Sequence, residues 1–229
     1  MKQSILVCLL LCGCGAMTER QRREFPVEVS GSTAPIITDS GWSVTLTRAT
    51  AHLSTLRFFS GPAQVVHVSP PWWNGLVIST AYAHPGHYVP GEALGEVLAD
   101  VDVDLLASEA TAWGTANAVT GTYGSVQLGY ASGGIEVEGS AKKNGTTVEF
   151  SARFTPPAPL EGASFPHEMT TSRGRVLLQF DLDELFSRID FSLVGSGARP
   201  LDTMSPAFNG FARGVEDVSV YTTTWKDEG

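Results

Sequence analysis

Hydrophobic and polar residues alternate along much of the chain, and this alternation predicts β-strands. It is clearest in "EVLADVDVDLLA" (96–107), which splits into an apolar face and an acidic one. A period of two residues is typical of a strand with one buried face. The apolar face consists of Val97, Ala99, Val101, Val103 and Leu105, and the acidic face consists of Asp100, Asp102 and Asp104.

Similar runs predict further strands at 125–131, 134–143, 146–154, 175–182 and 218–225. Asn144-Gly145 separates two of them and favours a tight hairpin, because both central residues of such a turn need positive φ. The stretch 41–59 changes phase near residues 48–53, which indicates a β-bulge or a break next to His52.

Two short segments predict helices. Leu182, Leu185, Phe186 and Ile189 follow helical spacing within 181–190. In 205–217, Ser205 suits the N-cap position and Pro206 the first turn, although Gly210 and Gly214 weaken that helix. Residues 155–174 contain several prolines, and they are expected to form a long loop, either a crossover or a lid.

The predicted fold is therefore all-β and mainly antiparallel. It is a sandwich or barrel-like single domain over residues 31–229, with one or two short helices. The chain has a formal net charge of −9, with 17% charged and 42% hydrophobic residues. This acidic balance argues against nucleic acid as a partner, and no phosphate-binding glycine motif is present for a nucleotide.

The first residues read "MKQSILVCLLLCGCGAMTER". A basic start and a short apolar run precede Leu11-Cys12-Gly13-Cys14, which resembles the lipobox of bacterial lipoproteins. The resemblance implies that 1–13 is a signal peptide and that Cys14 is lipidated. Residues 14–30 would then be a tether, and the protein would lie in the cell envelope. The alternatives are an ordinary secretory signal or a start at Met17.

The residue after the anchor is glycine rather than aspartate, which by the same resemblance favours the outer membrane, facing the periplasm or the cell surface. All three cysteines lie within the first 14 residues. The remaining chain therefore has no disulfide framework and no cysteine nucleophile.

The segment "HPGH" predicts a type II turn, with proline and glycine at its central positions. His84 and His87 would then have Cα atoms within about 7 Å of each other. Imidazole is a common ligand of zinc and copper. Four of the five histidines lie within residues 52–87, so we expect a divalent Zn or Cu site formed by His84 and His87 with candidates His52, His67, Glu92 and His167. A turn whose histidines only bond to loop carbonyls is the alternative.

"PPWWNG" gives a second hypothesis. Trp72 and Trp73 cannot easily both be buried if the segment is extended, and an exposed indole there would recognise a protein or glycan partner in the envelope. Packing of the indoles under a loop, with a purely structural role, is the alternative. Asp100, Asp102 and Asp104 resemble the start of a calcium loop, but they lack its glycine and distal glutamate, so a solvated face is expected. No hydrolase motif is present, and the sequence favours a non-enzymatic protein.

Overall fold

The computed structural model describes residues 20–32, 34–63, 89–195 and 200–228. Strands make up 60% of the structure, and they form one curled, mainly antiparallel sheet that closes into a half-barrel. The strands are β1 (Arg22–Gly31), β2 (Ile36–Ile37), β3 (Ser43–Phe59), β4 (Ala93–Asp104), β5 (Thr111–Val119), β6 (Gly121–Lys143), β7 (Thr146–Phe154), β8 (Leu160–Met169), β9 (Gly174–Phe180) and β10 (Tyr221–Asp227). The helices are α1 (Leu182–Ser187) and α2 (Pro206–Glu216). This confirms the all-β prediction.

The order of strands across the sheet is β10-β9-β1-β5-β4-β3-β6-β7. β2 adds to the start of β3, and β8 pairs with the first half of the long strand β6. β1 and β9 run parallel, whereas the other strand pairs are antiparallel. β8 and β10 therefore lie at the two ends of the curled sheet, and they contact each other without a ladder of hydrogen bonds.

The inner face of the sheet carries the core. Phe25, Phe58, Tyr123 and Phe165 are buried there and meet edge to face or tilted, with ring centroids 5.4–6.0 Å apart. Such aromatic pairs add stability beyond the area that they bury. The two helices pack on each other beside this core through Leu185, Phe186 and Phe211.

The helix prediction is confirmed, including the cap. The Ser205 hydroxyl accepts a hydrogen bond from the Phe208 amide, and Pro206 begins α2. The two glycines that weaken the helix by propensity permit a close approach to α1. A β-carbon at residue 214 would lie 2.1 Å from the Leu185 carbonyl oxygen, and one at residue 210 would lie 2.8 Å from that of Arg188.

The hairpin and the irregular strand are also confirmed. Asn144 and Gly145 have φ of 50° and 78°, as the tight turn requires. β3 is one strand of 17 residues, and its register shifts against both neighbours between Ala51 and Thr55.

Two sequence-based expectations differ from the structure. Part of the predicted loop 155–174 is strand β8, which pairs with β6 despite Pro166 because one edge of β8 has no ladder to maintain. The folded region begins at Arg22 rather than at residue 31, since β1 buries Phe25, Val27 and Val29. These three side chains alternate with the more exposed Pro26 and Glu28, a pattern that the proline and the preceding arginines obscure.

Candidate functional site

The predicted site residues fall into two groups. Cys14, His67, His84 and His87, together with Trp72 and Trp73, lie outside the residues that the structure describes. His52 and Glu92 lie within them, as does His167.

His52 is held in a defined orientation on β3. Its Nδ1 lies 2.6 Å from Asp102 Oδ1, directly across the sheet on β4. Its Nε2 is buried without a hydrogen-bond partner, and the nearest carboxylate oxygen, Glu136 Oε1, is 3.9 Å away. A neutral imidazole in which Nδ1 donates to a carboxylate has its lone pair on Nε2, which is the arrangement of a metal-binding histidine with its supporting carboxylate.

Irregular backbone surrounds His52. On β6, Ile135 pairs with Ala51 and Tyr130 pairs with Leu53, so residues 131–134 are inserted opposite His52. On the other side, β4 shifts register between Val101 and Leu98. Both neighbours of β3 thus bulge at one level of the sheet. Bulges are frequent beside functional sites because they redirect side chains.

The inserted residues fix the ring. Gly133 has φ of 125°, and a β-carbon there would lie 2.5 Å from His52 Cδ2. Only glycine allows the backbone to approach the imidazole so closely. The His52 side chain is consequently only 19% exposed, although it is on the outer face of the sheet.

Glu136 lies beside His52 on the outer face of the sheet, and its carboxylate is paired with two arginines. Its Oε1 lies 3.2 Å from Arg153 Nε, and its Oε2 lies 3.5 Å from Arg48 Nη2. Arg48 also binds Glu138 at 2.7 Å. These ion pairs make Glu136 a weak candidate for a metal ligand beside His52.

Glu92 does not join His52. It lies beside Ser60, with which it exchanges two hydrogen bonds of 3.0 Å, eight residues along β3 from His52. At about 3.3 Å per residue the separation exceeds roughly 20 Å. The Glu92 carboxylate instead binds Arg20 at 2.6 Å, and the hydrogen bond from Arg20 lowers the pKa of Glu92. One metal ion cannot contact both Glu92 and His52.

The acidic face of β4 is exposed, as the alternation predicted. Asp104 accepts a hydrogen bond from the Leu106 amide and Asp102 pairs with His52. Within the described ranges, no three His, Cys, Asp or Glu side chains are grouped so that they could hold a metal ion. Nor does the described part contain a helix with the length and apolarity needed to span a membrane.

A groove of about 700 Å³ lies between β8 and β10. At one end the rings of His167 and Trp225 stack with centroids 4.9 Å apart and planes 19° apart. Burial lowers the pKa of His167, while Asp227 and Glu168 oppose this effect. The sequence indicates His167 only as a candidate metal ligand, because no local pattern places β8 beside β10.

Comparison of the chain with models of known protein families, with curated protein sequences and with solved structures gave no match.

Proposed function

We propose that this protein is a lipid-anchored, non-catalytic protein of the bacterial cell envelope that binds a divalent transition metal, zinc or copper, for handling or delivery. The observation that supports it best is the geometry of His52. Asp102 orients the imidazole, Gly133 fixes it, and its buried Nε2 has no partner among the described residues. An unpaired nitrogen in that setting costs free energy that a metal ion would recover.

The other proposed ligands are His84 and His87, which the Pro85-Gly86 turn brings close together, with His67 as the fourth candidate. Three or four imidazoles suit zinc or copper. Glu92 is excluded from a site that contains His52 because of the distance along β3. His167 faces the separate groove beside Trp225.

Metal content tests the proposal. The protein is purified without chelator, analysed by mass spectrometry, and titrated with zinc and copper(II). About one equivalent per chain is expected, since three or four imidazoles suffice for one ion. We expect the double variant His84→Ala/His87→Ala to lose it and His52→Ala to bind more weakly. His167→Gln is the matched control and should bind normally. Equal affinity in the double variant would refute the site.

The second candidate function is recognition of a protein or glycan partner in the envelope through Trp72 and Trp73. It is favoured by the position of Ala63, which lines the groove between β8 and β10 and is 9 residues before Trp72. A chain that leaves the sheet at a groove is well placed to contribute to binding there. Partner capture that resists chelators and is lost in Trp72→Ala or Trp73→Ala would favour this function over metal binding.

A further inference from the structure

The two ends of the curled sheet, β8 and β10, meet along a seam that has no ladder of main-chain hydrogen bonds. Among the described residues, one pair of aromatic rings bridges this seam. His167 on β8 stacks on Trp225 on β10, with ring centroids 4.9 Å apart and planes 19° apart. Contact between the two ends of the sheet therefore depends on side chains, and this stack is a central part of it.

The stack is continuous with the aromatic core on both sides of the seam. The Phe165 ring lies 5.7 Å from that of His167, and the Phe25 ring meets Trp225 edge to face at 5.3 Å. His167 Nε2 is buried in this setting, and no described residue bonds to it. A neutral imidazole is tolerated there, because the cost is limited to one polar atom without a hydrogen bond.

Protonation of His167 makes the same arrangement much less favourable. An imidazolium carries an N–H group on each of its two nitrogens. One of these groups would be buried with no acceptor among the described residues. A buried charge without a partner costs far more free energy than a buried neutral group. A ring that turns out of the seam into water avoids this cost, and the stack that bridges β8 and β10 is then lost.

Neighbouring charges oppose this effect without cancelling it. Burial lowers the pKa of His167, although Asp227 on β10 and Glu168 on β8 attract the charged ring and act in the opposite direction. Tyr123 on β6, which pairs with His167 across the sheet, is neutral because burial raises its pKa. Its hydroxyl is bonded to main-chain carbonyl groups. The charged ring is therefore less stable in the closed seam than in water.

We propose that His167 is a pH-sensitive switch built into the half-barrel. The neutral ring holds β8 against β10, and protonation in acid releases the ring and separates the two strands along the groove. This switch does not involve the residues proposed to bind metal, so each proposal can fail without the other.

Hydrogen exchange of the metal-free protein, measured by mass spectrometry at pH 7.5 and 5.0, tests the switch. Once the seam opens, β8 and β10 become free edge strands that fray. After correction for the intrinsic pH dependence of amide exchange, we expect both strands to exchange at least about threefold faster at pH 5.0, because protonation lowers their opening free energy. The central strand β3 should keep its protection. Unchanged exchange in β8 and β10, or an equal increase in β3, would overturn the proposal.

His167→Phe tests the residue itself, because it keeps a ring against Trp225 that cannot be protonated. Exchange in β8 and β10 of this variant should be the same at the two pH values. An acid response as large as that of the unmodified protein would refute the assignment.

A second pair of variants tests the switch without altering the stack. Asp227→Asn removes a charge that favours the imidazolium in the closed seam, so the seam should open further at pH 5.0. Asp100→Asn, on the acidic face of β4, is the matched control and should exchange like the unmodified protein. Equal exchange of β8 and β10 in these two variants would contradict the proposal, even if His167→Phe does not fold.

Discussion

Gly133 lies directly against the imidazole of His52, and a β-carbon at position 133 would be 2.5 Å from His52 Cδ2. The two residues are 81 positions apart in sequence, and they meet because β6 bulges opposite β3. The orientation of His52 thus depends on a glycine on another strand as well as on Asp102.

Gly133→Ala tests this dependence. It combines an unfavourable φ with a steric clash, and we expect a loss of about 1–3 kcal/mol in the free energy of unfolding together with weaker metal binding. Urea unfolding and metal titration measure the two effects. Gly121→Ala is the control, since φ is 145° there but no atom lies within 4 Å of the added carbon. If both variants lose the same free energy of unfolding and the same metal affinity, the clash with His52 does not contribute to either.

Asp102→Ala removes the carboxylate that orients His52. Supporting carboxylates of metal-bound histidines typically contribute about tenfold to a hundredfold in metal affinity. We expect a loss of that order in a zinc titration, with unfolding free energy changed by less than about 0.5 kcal/mol because Asp102 is exposed. Asp100→Ala, two residues away on the same face, should leave zinc affinity unchanged. Equal losses in both variants would contradict a specific role for Asp102.

The pH dependence of stability should reflect His167. Burial lowers its pKa in the folded state, so below about pH 6.5 the unfolded chain binds the proton more readily. The stability that His167 contributes by remaining neutral in the folded protein is therefore fully present above about pH 6.5. This stability is lost as the pH falls from there towards the lower pKa of the folded state. We expect the thermal midpoint to drop less between pH 7.5 and 5.5 in His167→Gln than in the unmodified protein.

Asp227→Asn gives the complementary measurement. Asp227 raises the pKa of His167 and so opposes the effect of burial. Its removal should make the loss of stability between pH 7.5 and 5.5 larger. A smaller loss in this variant would show that another group dominates the pH dependence.

Gly214→Ala should destabilise the protein although alanine favours helices. The added carbon would lie 2.1 Å from the Leu185 carbonyl oxygen, and such overpacking costs about 1–3 kcal/mol. Asn209→Ala, on the exposed side of α2, should be neutral or slightly stabilising. Chemical denaturation of the two variants compares them directly. A stabilised Gly214→Ala would mean that the helices can separate at little cost.

Cys14→Ser tests the lipid anchor. In a bacterial host the unmodified protein should sediment with membranes and incorporate labelled palmitate, and the variant should do neither. Cys12→Ser is the matched control and should remain membrane-bound. Because β1 begins at Arg22, eight residues after Cys14, the anchor would hold the folded region within roughly 30 Å of the bilayer. Unchanged sedimentation of Cys14→Ser would refute the lipobox assignment.

Local signals in the sequence predicted most of the elements. The alternation in β4 and β7, the turn at Asn144-Gly145 and the cap at Ser205 depend on residues that are neighbours in the chain. Their physical causes act over a few residues, so the pattern alone identifies them. β8 was missed because glycine and proline interrupt its alternation and its strand character comes from pairing with β6.

The sequence by itself determined an all-β chain, with a cluster of histidines and a candidate lipid anchor. Only the tertiary structure decided that Asp102 supports His52, that Glu92 lies far from it, and that His167 meets Trp225 across the groove. These relationships depend on strand order and on the register set by bulges. Strand order and register follow from packing energies summed over the whole sheet. A local pattern of residues therefore cannot determine them.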